Sequence, residues 1–322
     1  MTPPIVIGID VGAHTLVASL GNPQQARSFA ATAQGRTALV HWVQHHQGSL
    51  VVLEATGGYH LALWETLDAA GIAVAVCHPN RVRDWMKGHG QRAKTDRIDA
   101  QLLARYGQQE QPTPMPLPSL TQRTIAALLD RRGQLVKLRT AERNRRTQAM
   151  DPLKPAIAEH IALLSAMIRA VERECRTLLQ TDPELAALVA RLCTVPGIAL
   201  VTAVRLAVDL PELGQVSSKQ LAALVGVAPF DRQSGAYRAR SHIAGGRAGL
   251  RHGLYQPVVT TIRCDPTFQA HFDQLTKRGK STNAARIACM RRLLGILNVM
   301  VRDELTWQET NVGQGMFLRG AA

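Results

Sequence analysis

The first hundred residues alternate short apolar runs with polar or glycine-containing turns. Short apolar runs bounded by turns predict buried strands, and stretches with apolar residues three and four apart predict helices. The predicted strands cover residues 5–10, 14–20, 26–32, 50–54 and 72–77. The predicted helices cover residues 37–46, 59–70 and 97–106. This alternation indicates an α/β domain over residues 1–110.

The order of these elements narrows the fold class. Three strands in succession, followed by alternating helices and strands, is the order of an RNase H-like fold. Residues 111–118 then carry four prolines in eight positions. Such a composition predicts a stiff, extended linker and therefore a domain boundary.

Residues 119–190 are rich in arginine and carry helical rather than strand signals. From Ile157 the apolar spacing alternates between four and three residues, which is typical of a coiled-coil seam. The seam consists of Ile157, Ile161, Leu164, Ile168, Val171, Cys175 and Leu178. A helical hairpin, an intermolecular coiled coil and an ordinary helical subdomain all fit this pattern. We favour self-association, because short seams leave apolar surface that needs a partner.

Residues 191–322 predict a mostly α-helical third domain, with helices over 219–225, 250–262 and 283–301 and a polar loop over 231–249. The stretch Pro196-Gly197-Ile198 is similar to the turn of a helix-hairpin-helix, which binds phosphate through backbone N–H groups. A tight turn between two packed helices fits this stretch equally well.

The net charge of the chain indicates which class of molecule it binds. The 322 residues are 46% hydrophobic and carry a formal charge of +14, with a pI near 10.3. A basic chain of this kind favours nucleic acid over other partners. Its five cysteines form no Cys-x-x-Cys pair, and neither a signal peptide nor a membrane-length apolar run is present. We therefore expect a cytoplasmic protein without membrane contact.

Four carboxylates are the candidate catalytic residues. Asp10 and Glu54 each end a predicted strand, and Asp96 and Asp99 share one face of a predicted helix. Each acid alone is commonly structural. Together they offer the hard oxygen ligands that Mg²⁺ prefers, and two ions can stabilise the attacking and leaving oxygens at a phosphodiester.

Ser234 is a candidate nucleophile, because it precedes a glycine in a loop rich in arginine. Guanidinium groups stabilise phosphate charge, so a serine among them can attack phosphorus. A serine before glycine is also an ordinary turn, and His242 is better explained as a phosphate contact or surface residue than as a base. The candidate nucleic-acid contacts are Arg232, Arg238, Arg240, Arg247 and Arg251.

Several of these motifs, taken in order, resemble the DEDD transposases of insertion-sequence family one hundred and ten. These are relatives of Piv-type invertases, and some are bridge-RNA-guided recombinases. The motifs are Gly8-Ile9-Asp10, Leu53-Glu54-Ala55-Thr56-Gly57, Lys94-Thr95-Asp96-x-x-Asp99-Ala100, Pro196-Gly197-Ile198 and Gln233-Ser234-Gly235. The segment 235–240 departs from the family in having less Gly and Ser.

The resemblance implies roles for these positions. Asp10, Glu54, Asp96 and Asp99 would form the Mg²⁺ site of a RuvC-like domain, and Ser234 would make a transient phosphoserine bond to DNA. The helical middle would pair protomers as a dimer or tetramer. A structured noncoding RNA would select donor and target DNA by base pairing.

Three alternatives remain open at the level of sequence. A nuclease of the Holliday-junction resolvase kind would cut with metal-activated water and leave no covalent adduct. An actin-like phosphotransferase would use residues 8–15 as a phosphate loop and bind ATP. A non-catalytic nucleic-acid binder would tolerate the loss of all four acids.

Overall fold

The computed structural model describes residues 5–55, 57–89, 95–230, 233–234, 237–238 and 242–310, with the backbone alone at 23, 233, 234, 237 and 238. The chain divides into two compact units, Met1–Pro118 and Ser119–Ala322. The first is a mixed α/β sheet and the second is mostly helical. Among the described residues no helix has the length and apolarity that a membrane crossing requires.

The first unit is built on a five-stranded sheet in the order β3-β2-β1-β4-β5. β2 pairs antiparallel with β1 and β3, whereas β1, β4 and β5 run parallel. The elements are β1 (Val6–Val11), β2 (Thr15–Ser19), β3 (Arg27–Ala30), α1 (Ala33–His45), β4 (Leu50–Glu54), α2 (His60–Ala69), β5 (Ala73–Cys77), α3 (Pro79–Gly88) and α4 (Asp96–Glu110). The five predicted strands are confirmed, with bounds that differ by at most two residues at either end. α3 was missed, because Val82 is its only buried residue and gives no apolar period.

A separate hydrophobic core lies on each face of this sheet, because successive side chains of a strand point to opposite faces. Ile7, Ile9 and Leu53 pack in one core with residues of α1 and α2. Val6 and Val52 point to the other face and pack in a second core with residues of α3 and α4. The proline-rich stretch 111–118 forms no helix or strand, and the Met115 N–H donates to the Val74 carbonyl at 2.9 Å. This segment therefore belongs to the first unit.

The second unit opens with two long helices, α5 (Leu120–Gln148) and α6 (Lys154–Leu179). They form an antiparallel hairpin: Arg132 Nε lies 2.7 Å from Glu172 Oε1, and farther along α5 Leu135 packs with Leu164 and Ile168. All seven predicted seam residues are buried or half-buried. Of the arrangements that fit the sequence, the structure shows the hairpin, and an intermolecular coiled coil stays a prediction.

The remaining helices share one core with the base of this hairpin, from Ile125 to Trp307. They are α7 (Pro183–Cys193), α8 (Leu200–Asp209), α9 (Ser218–Val225), α10 (Ala248–Cys264), α11 (Pro266–Lys277) and α12 (Thr282–Arg302). Helix α11 was not predicted; it begins where Asp265 accepts from the Phe268 N–H at 2.9 Å. The boundary expected at residue 190, between a helical middle region and a C-terminal domain, stays a prediction.

Candidate active site

Two of the four predicted acids occupy corresponding positions on neighbouring parallel strands. β1 and β4 pair with Ile9 opposite Leu53, and Asp10 and Glu54 are the next residue on each strand. Corresponding positions of paired strands face the same way, with the strands about 4.8 Å apart. Both acids are half-buried. The strand register thus places these two carboxylates side by side.

Helix α4 covers the face of the sheet to which both acids belong. A Cβ at Gly8 would clash with the backbone of Ala100 and Ala104, so α4 lies directly on β1. Farther along α4, a Cβ at Gly107 would lie 2.6 Å from Val6 and from Val52. The helix therefore runs antiparallel to β1, and its first turn lies toward the carboxyl end of that strand.

That first turn carries the other two acids. Thr95 caps α4, with its hydroxyl accepting from the Ile98 N–H at 3.3 Å. Asp96 is exposed and Asp99 is half-buried. Negative side chains in a first helical turn are stabilised by the helix dipole. All four predicted acids therefore lie toward the same end of the sheet, for reasons that need no metal.

The donor chemistry of these residues fits a divalent cation, because Mg²⁺ prefers carboxylate oxygens. Within the described ranges, however, no group of three or more His, Cys, Asp or Glu side chains is arranged to hold an ion. Asp10 and Glu54 form an adjacent pair, while the four-acid Mg²⁺ site stays a prediction.

Cys77, directly opposite Glu54 on β5, is a neighbour that the sequence analysis missed. Burial raises the pKa of the Cys77 thiol to about 11, with nearby Arg81 opposing the shift and Glu54 adding to it. Burial also raises the pKa of Tyr106, on α4, to about 12. Both groups are therefore neutral near pH 7, so the core beside Glu54 holds no thiolate.

The predicted loop that carries Ser234 contains two short antiparallel ladders. β6 (Pro229–Phe230) pairs with β9 (His242–Ile243), and β7 (Gln233–Ser234) pairs with β8 (Tyr237–Arg238). Ser234 lies opposite Tyr237, in the last pair of the inner ladder. Arg232 and Arg240 lie outside the described residues, and Arg238 is described by its backbone alone.

The two remaining predicted arginines lie where this segment ends, and both bind protein groups. Arg247 donates to both Glu212 carboxylate oxygens at 2.6 Å and to the Asp209 carbonyl at 3.1 Å. Arg251 donates to the carbonyls of Gly226 and Gly245 at 3.1 and 2.8 Å. These contacts fasten the end of the segment to the helical core. Their predicted role in nucleic-acid binding stays untested.

The ion pairs continue beyond Arg247. Arg205 Nη1 lies 2.7 Å from Asp130 Oδ1 on α5 and 3.0 Å from Asp209 Oδ2. Burial raises the pKa of Asp209, and Arg205 and Arg247 oppose that shift. A polar chain thus runs from the hairpin to the segment that carries Ser234. Sequence reasoning missed it because the partners are up to 75 residues apart.

The turn between α7 and α8 is explained by packing. Gly197 has φ +92°, and a Cβ there would lie 2.5 Å from the Pro257 carbonyl on α10. The Thr261 hydroxyl donates to the Pro196 carbonyl at 2.6 Å. These contacts fit the tight turn between packed helices, and the phosphate-binding alternative stays a prediction.

Comparison with known proteins places these features in a family. A family model described as a transposase, of the DEDD type of IS110, matches residues 7–155. A second, described as the transposase IS116/IS110/IS902 family, matches residues 189–273. The first range contains the four acids and the second contains Ser234, so the resemblance inferred from the motifs is confirmed.

Whole-chain relatives agree with the family models. The pilin gene-inverting proteins of Moraxella lacunata and Moraxella bovis are each 31% identical over 311 residues, covering 92% of this chain and 95% of theirs. The insertion element IS110 uncharacterized 43.6 kDa protein of Streptomyces coelicolor is 26% identical over 174 residues, covering 53% of this chain and 42% of its own. The chain therefore belongs to the IS116/IS110/IS902 family of transposases and is a DNA recombination enzyme.

Proposed function

We propose that this protein is an RNA-guided DNA recombinase that mobilises its own insertion sequence. In this proposal Asp10, Glu54, Asp96 and Asp99 form the Mg²⁺ site of a RuvC-like, RNase H-type domain, and Ser234 is the nucleophile. The observation that carries the proposal is the pairing of Asp10 and Glu54 at the ends of adjacent parallel strands, with the first turn of α4 toward the same end. The strand order of the sheet supports the RNase H assignment.

The proposed reaction exchanges one phosphodiester bond for another. The Ser234 hydroxyl loses its proton as its oxygen bonds to phosphorus, and the bond to one deoxyribose oxygen breaks. The released deoxyribose oxygen takes up a proton and leaves as a hydroxyl, so the step is balanced. A new deoxyribose hydroxyl then attacks the phosphoserine, which releases the serine and joins the exchanged strands. A bound divalent ion would stabilise charge on the attacking and leaving oxygens. The names of the Moraxella relatives, which refer to gene inversion, support strand exchange over hydrolysis.

The nucleophile is tested by trapping the covalent intermediate. We expect Ser234→Ala to abolish protein–DNA adducts that survive denaturing gels and to leave co-purifying RNA unchanged. Ser28→Ala, at an exposed strand serine of the first unit, is the matched control and should form adducts normally. Adducts that persist in Ser234→Ala would refute the assignment. Hydrolysed ends without any wild-type adduct would favour the nuclease alternative.

The acids are tested by metal binding as well as activity. We expect Asp10→Asn and Glu54→Gln to weaken Mn²⁺ or Mg²⁺ binding in calorimetry and to abolish divalent-dependent strand exchange. Asp68→Asn, at an exposed acid on α2, is the control and should change neither. Normal metal binding by both site variants would remove the proposed metal site.

RNA is the proposed guide, and α5 is its proposed electrostatic contact. This helix carries eight Lys or Arg and only two acids. Replacing Arg143, Arg145 and Arg146 by Gln should reduce both RNA affinity and its salt dependence. The control removes three exposed arginines from α6: Arg169, Arg173 and Arg176. Sequencing of wild-type co-purified RNA should recover the noncoding flank of the element, and bulk cellular RNA alone would contradict guidance.

Self-association through the hairpin is the final part of the proposal. No side chain between residues 136 and 163 is fully buried, although this stretch and its border carry large apolar residues. The exposed ones are Leu138, Met150, Leu153, Leu163 and Met167. We expect the wild type to sediment as a dimer or tetramer and Leu163→Glu/Met167→Glu to sediment as a lighter species. A monomeric wild type would refute this part.

A further inference from the structure

Aromatic side chains are rare in this protein and, with two exceptions, are at least partly buried wherever the structure describes them. Tyr59 is 58% exposed and Phe230 is 48% exposed. Every other described aromatic side chain is buried or half-buried. Exposed rings need an explanation only when their positions form a pattern. Here both rings lie close in sequence to a predicted catalytic residue.

Tyr59 follows Glu54 by five residues, at the start of α2. Gly57 and Gly58 precede it with φ of +49° and +90°, a backbone that residues with side chains rarely adopt. The Gly57 Cβ position lies 3.8 Å from the Tyr59 ring. This turn therefore sets the exposed phenol near the end of the strand that carries Glu54.

Phe230 precedes Ser234 by four residues and lies in the outer ladder, opposite His242. The two ring centroids are 6.4 Å apart, with the ring planes at 41°. His242 is also exposed. The ladder thus holds an aromatic pair at the surface, on the strand leading to the predicted nucleophile.

The exposed apolar residues of the hairpin differ from these two. Those of the hairpin are all aliphatic, as expected for helix packing. The two beside the predicted catalytic residues are aromatic, and a flat π face is what stacks on a nucleobase whatever its sequence. The charge of +14 attracts a polyanion such as a nucleic acid.

We propose that Tyr59 and Phe230 each stack on an unpaired nucleobase of the DNA substrate and so hold the strand beside the predicted catalytic residue that is near each of them in sequence. This inference rests on the proposed function. It adds a DNA-binding role for two residues outside the predicted acids, serine and arginines.

The first test compares two fluorescently labelled 20-mers, oligothymidylate and an abasic strand with the same phosphates. Wild type should bind oligothymidylate more tightly. Tyr59→Leu and Phe230→Leu should each weaken that binding roughly 5- to 100-fold and leave the affinity for the abasic strand unchanged. Phe230→Trp should retain wild-type affinity. Leu138→Ser, at an exposed aliphatic residue of the hairpin, is the control and should not alter the ratio.

The second test identifies the contacts directly. Photocrosslinking to oligothymidylate containing 5-bromodeoxyuridine, followed by peptide mass spectrometry, should place adducts at Tyr59 and Phe230. Unchanged affinities in the leucine variants, or crosslinks only elsewhere, would overturn the proposal. A change in sedimentation with unchanged DNA affinity would overturn it in favour of a protein contact.

Failure here can be separated from failure of the proposed function. Both tests use binding alone and can be run in the Ser234→Ala background. Adducts persisting in Ser234→Ala would refute the nucleophile and leave the stacking result standing. If Ser234→Ala loses the adducts but the leucine variants still prefer oligothymidylate over the abasic strand as the wild type does, the nucleophile stands and the stacking proposal is refuted.

Discussion

The predicted acids of the first unit and the predicted nucleophile of the second are held in place by different forces. Asp10 and Glu54 end strands whose backbones are fixed by sheet register and by close packing of α4 on Gly8. Ser234 lies in a two-residue ladder, and the end of its segment is fastened by Arg247 and Arg251. Packing fixes the strands that carry Asp10 and Glu54, whereas hydrogen bonds and an ion pair fasten the described end of the segment that carries Ser234.

This difference predicts different sensitivities. Close packing tolerates no added volume and is insensitive to salt. Ion pairs between partly exposed groups are weaker, and they respond to charge neutralisation and ionic strength. We therefore expect the acids to keep their positions as long as the first unit stays folded. The segment that carries Ser234 can instead open locally while the second unit stays folded.

The largest effect should come from adding a side chain at Gly8. In Gly8→Val the new atoms would meet the backbone of Ala100 and Ala104, which cannot move without displacing α4. We expect a loss of about 3–4 kcal/mol in the free energy of unfolding, since overpacking against backbone is strongly destabilising. Urea unfolding followed by tryptophan fluorescence measures this, because Trp42, Trp64 and Trp85 belong to the first unit.

The matched control is Gly88→Ala in the same unit, where an added Cβ meets nothing within 4 Å. It should leave the unfolding transition within about 1 kcal/mol of the wild type. Equal destabilisation by both variants would show that α4 does not depend on the glycine contact.

The next effect is a loss of stability of the first unit at alkaline pH. Below pH 9 the Cys77 thiol is protonated in both states, so it adds no pH dependence. Above pH 9 the unfolded chain releases this proton, while the folded chain keeps it up to about pH 11. Unfolding free energy should therefore fall by about 1.4 kcal/mol per pH unit in this window, or roughly 2–3 kcal/mol in total.

Cys77→Val should remove the slope between pH 9 and 10 and leave the contribution of Tyr106, which begins near pH 10 because burial raises its pKa to about 12. Cys264→Ser, at an exposed cysteine of the second unit, is the control. A slope between pH 9 and 10 that survives Cys77→Val would assign this part of the alkaline loss to other groups.

A smaller loss of stability is expected when the ion pair at the end of the segment that carries Ser234 is broken. Glu212→Gln leaves the Arg247 guanidinium, which is 26% exposed, without its carboxylate partner. After allowance for solvent screening we expect a loss of about 1–2 kcal/mol in unfolding free energy. If the pair positions Ser234, the rate of adduct formation should be lower than in the wild type even when it is measured well below the melting temperature. DNA affinity should change little.

Asp303→Asn is the control for charge removal in the same unit, because its partner Arg302 is at the surface. It should change neither stability nor rate measurably. A Glu212→Gln protein that melts earlier but forms adducts at the normal rate would make the ion pair purely structural.

The same contrast explains what could be read from the sequence. The strands that carry Asp10 and Glu54 are continuous apolar runs, so local pattern predicted them, and register placed their ends together. The Arg247–Glu212 contact joins residues 35 positions apart through a polar pair that has no periodic signature. Helix α3 escaped prediction because it buries only Val82. Sequence pattern predicted most of the elements held by packing, with α11 as an exception, and missed the polar contacts.

The smallest effect should come from the second tether, Arg251. Its Nη1 donates to the carbonyls of both Gly226 and Gly245, so one nitrogen links the end of α9 to the residues that follow β9. Arg251→Lys keeps the charge but shortens the reach, so unfolding free energy should change by only about 0.5–1 kcal/mol. Hydrogen exchange should nevertheless accelerate at residues 242–247, because local opening can occur without global unfolding. Arg263→Lys, at an exposed arginine on the same helix, should leave that exchange unchanged. Unchanged exchange in Arg251→Lys would mean that Arg247 and the outer ladder suffice to hold the segment. Local acceleration would show that the serine is kept in place by several weak polar contacts, each of which can yield without unfolding the helical core.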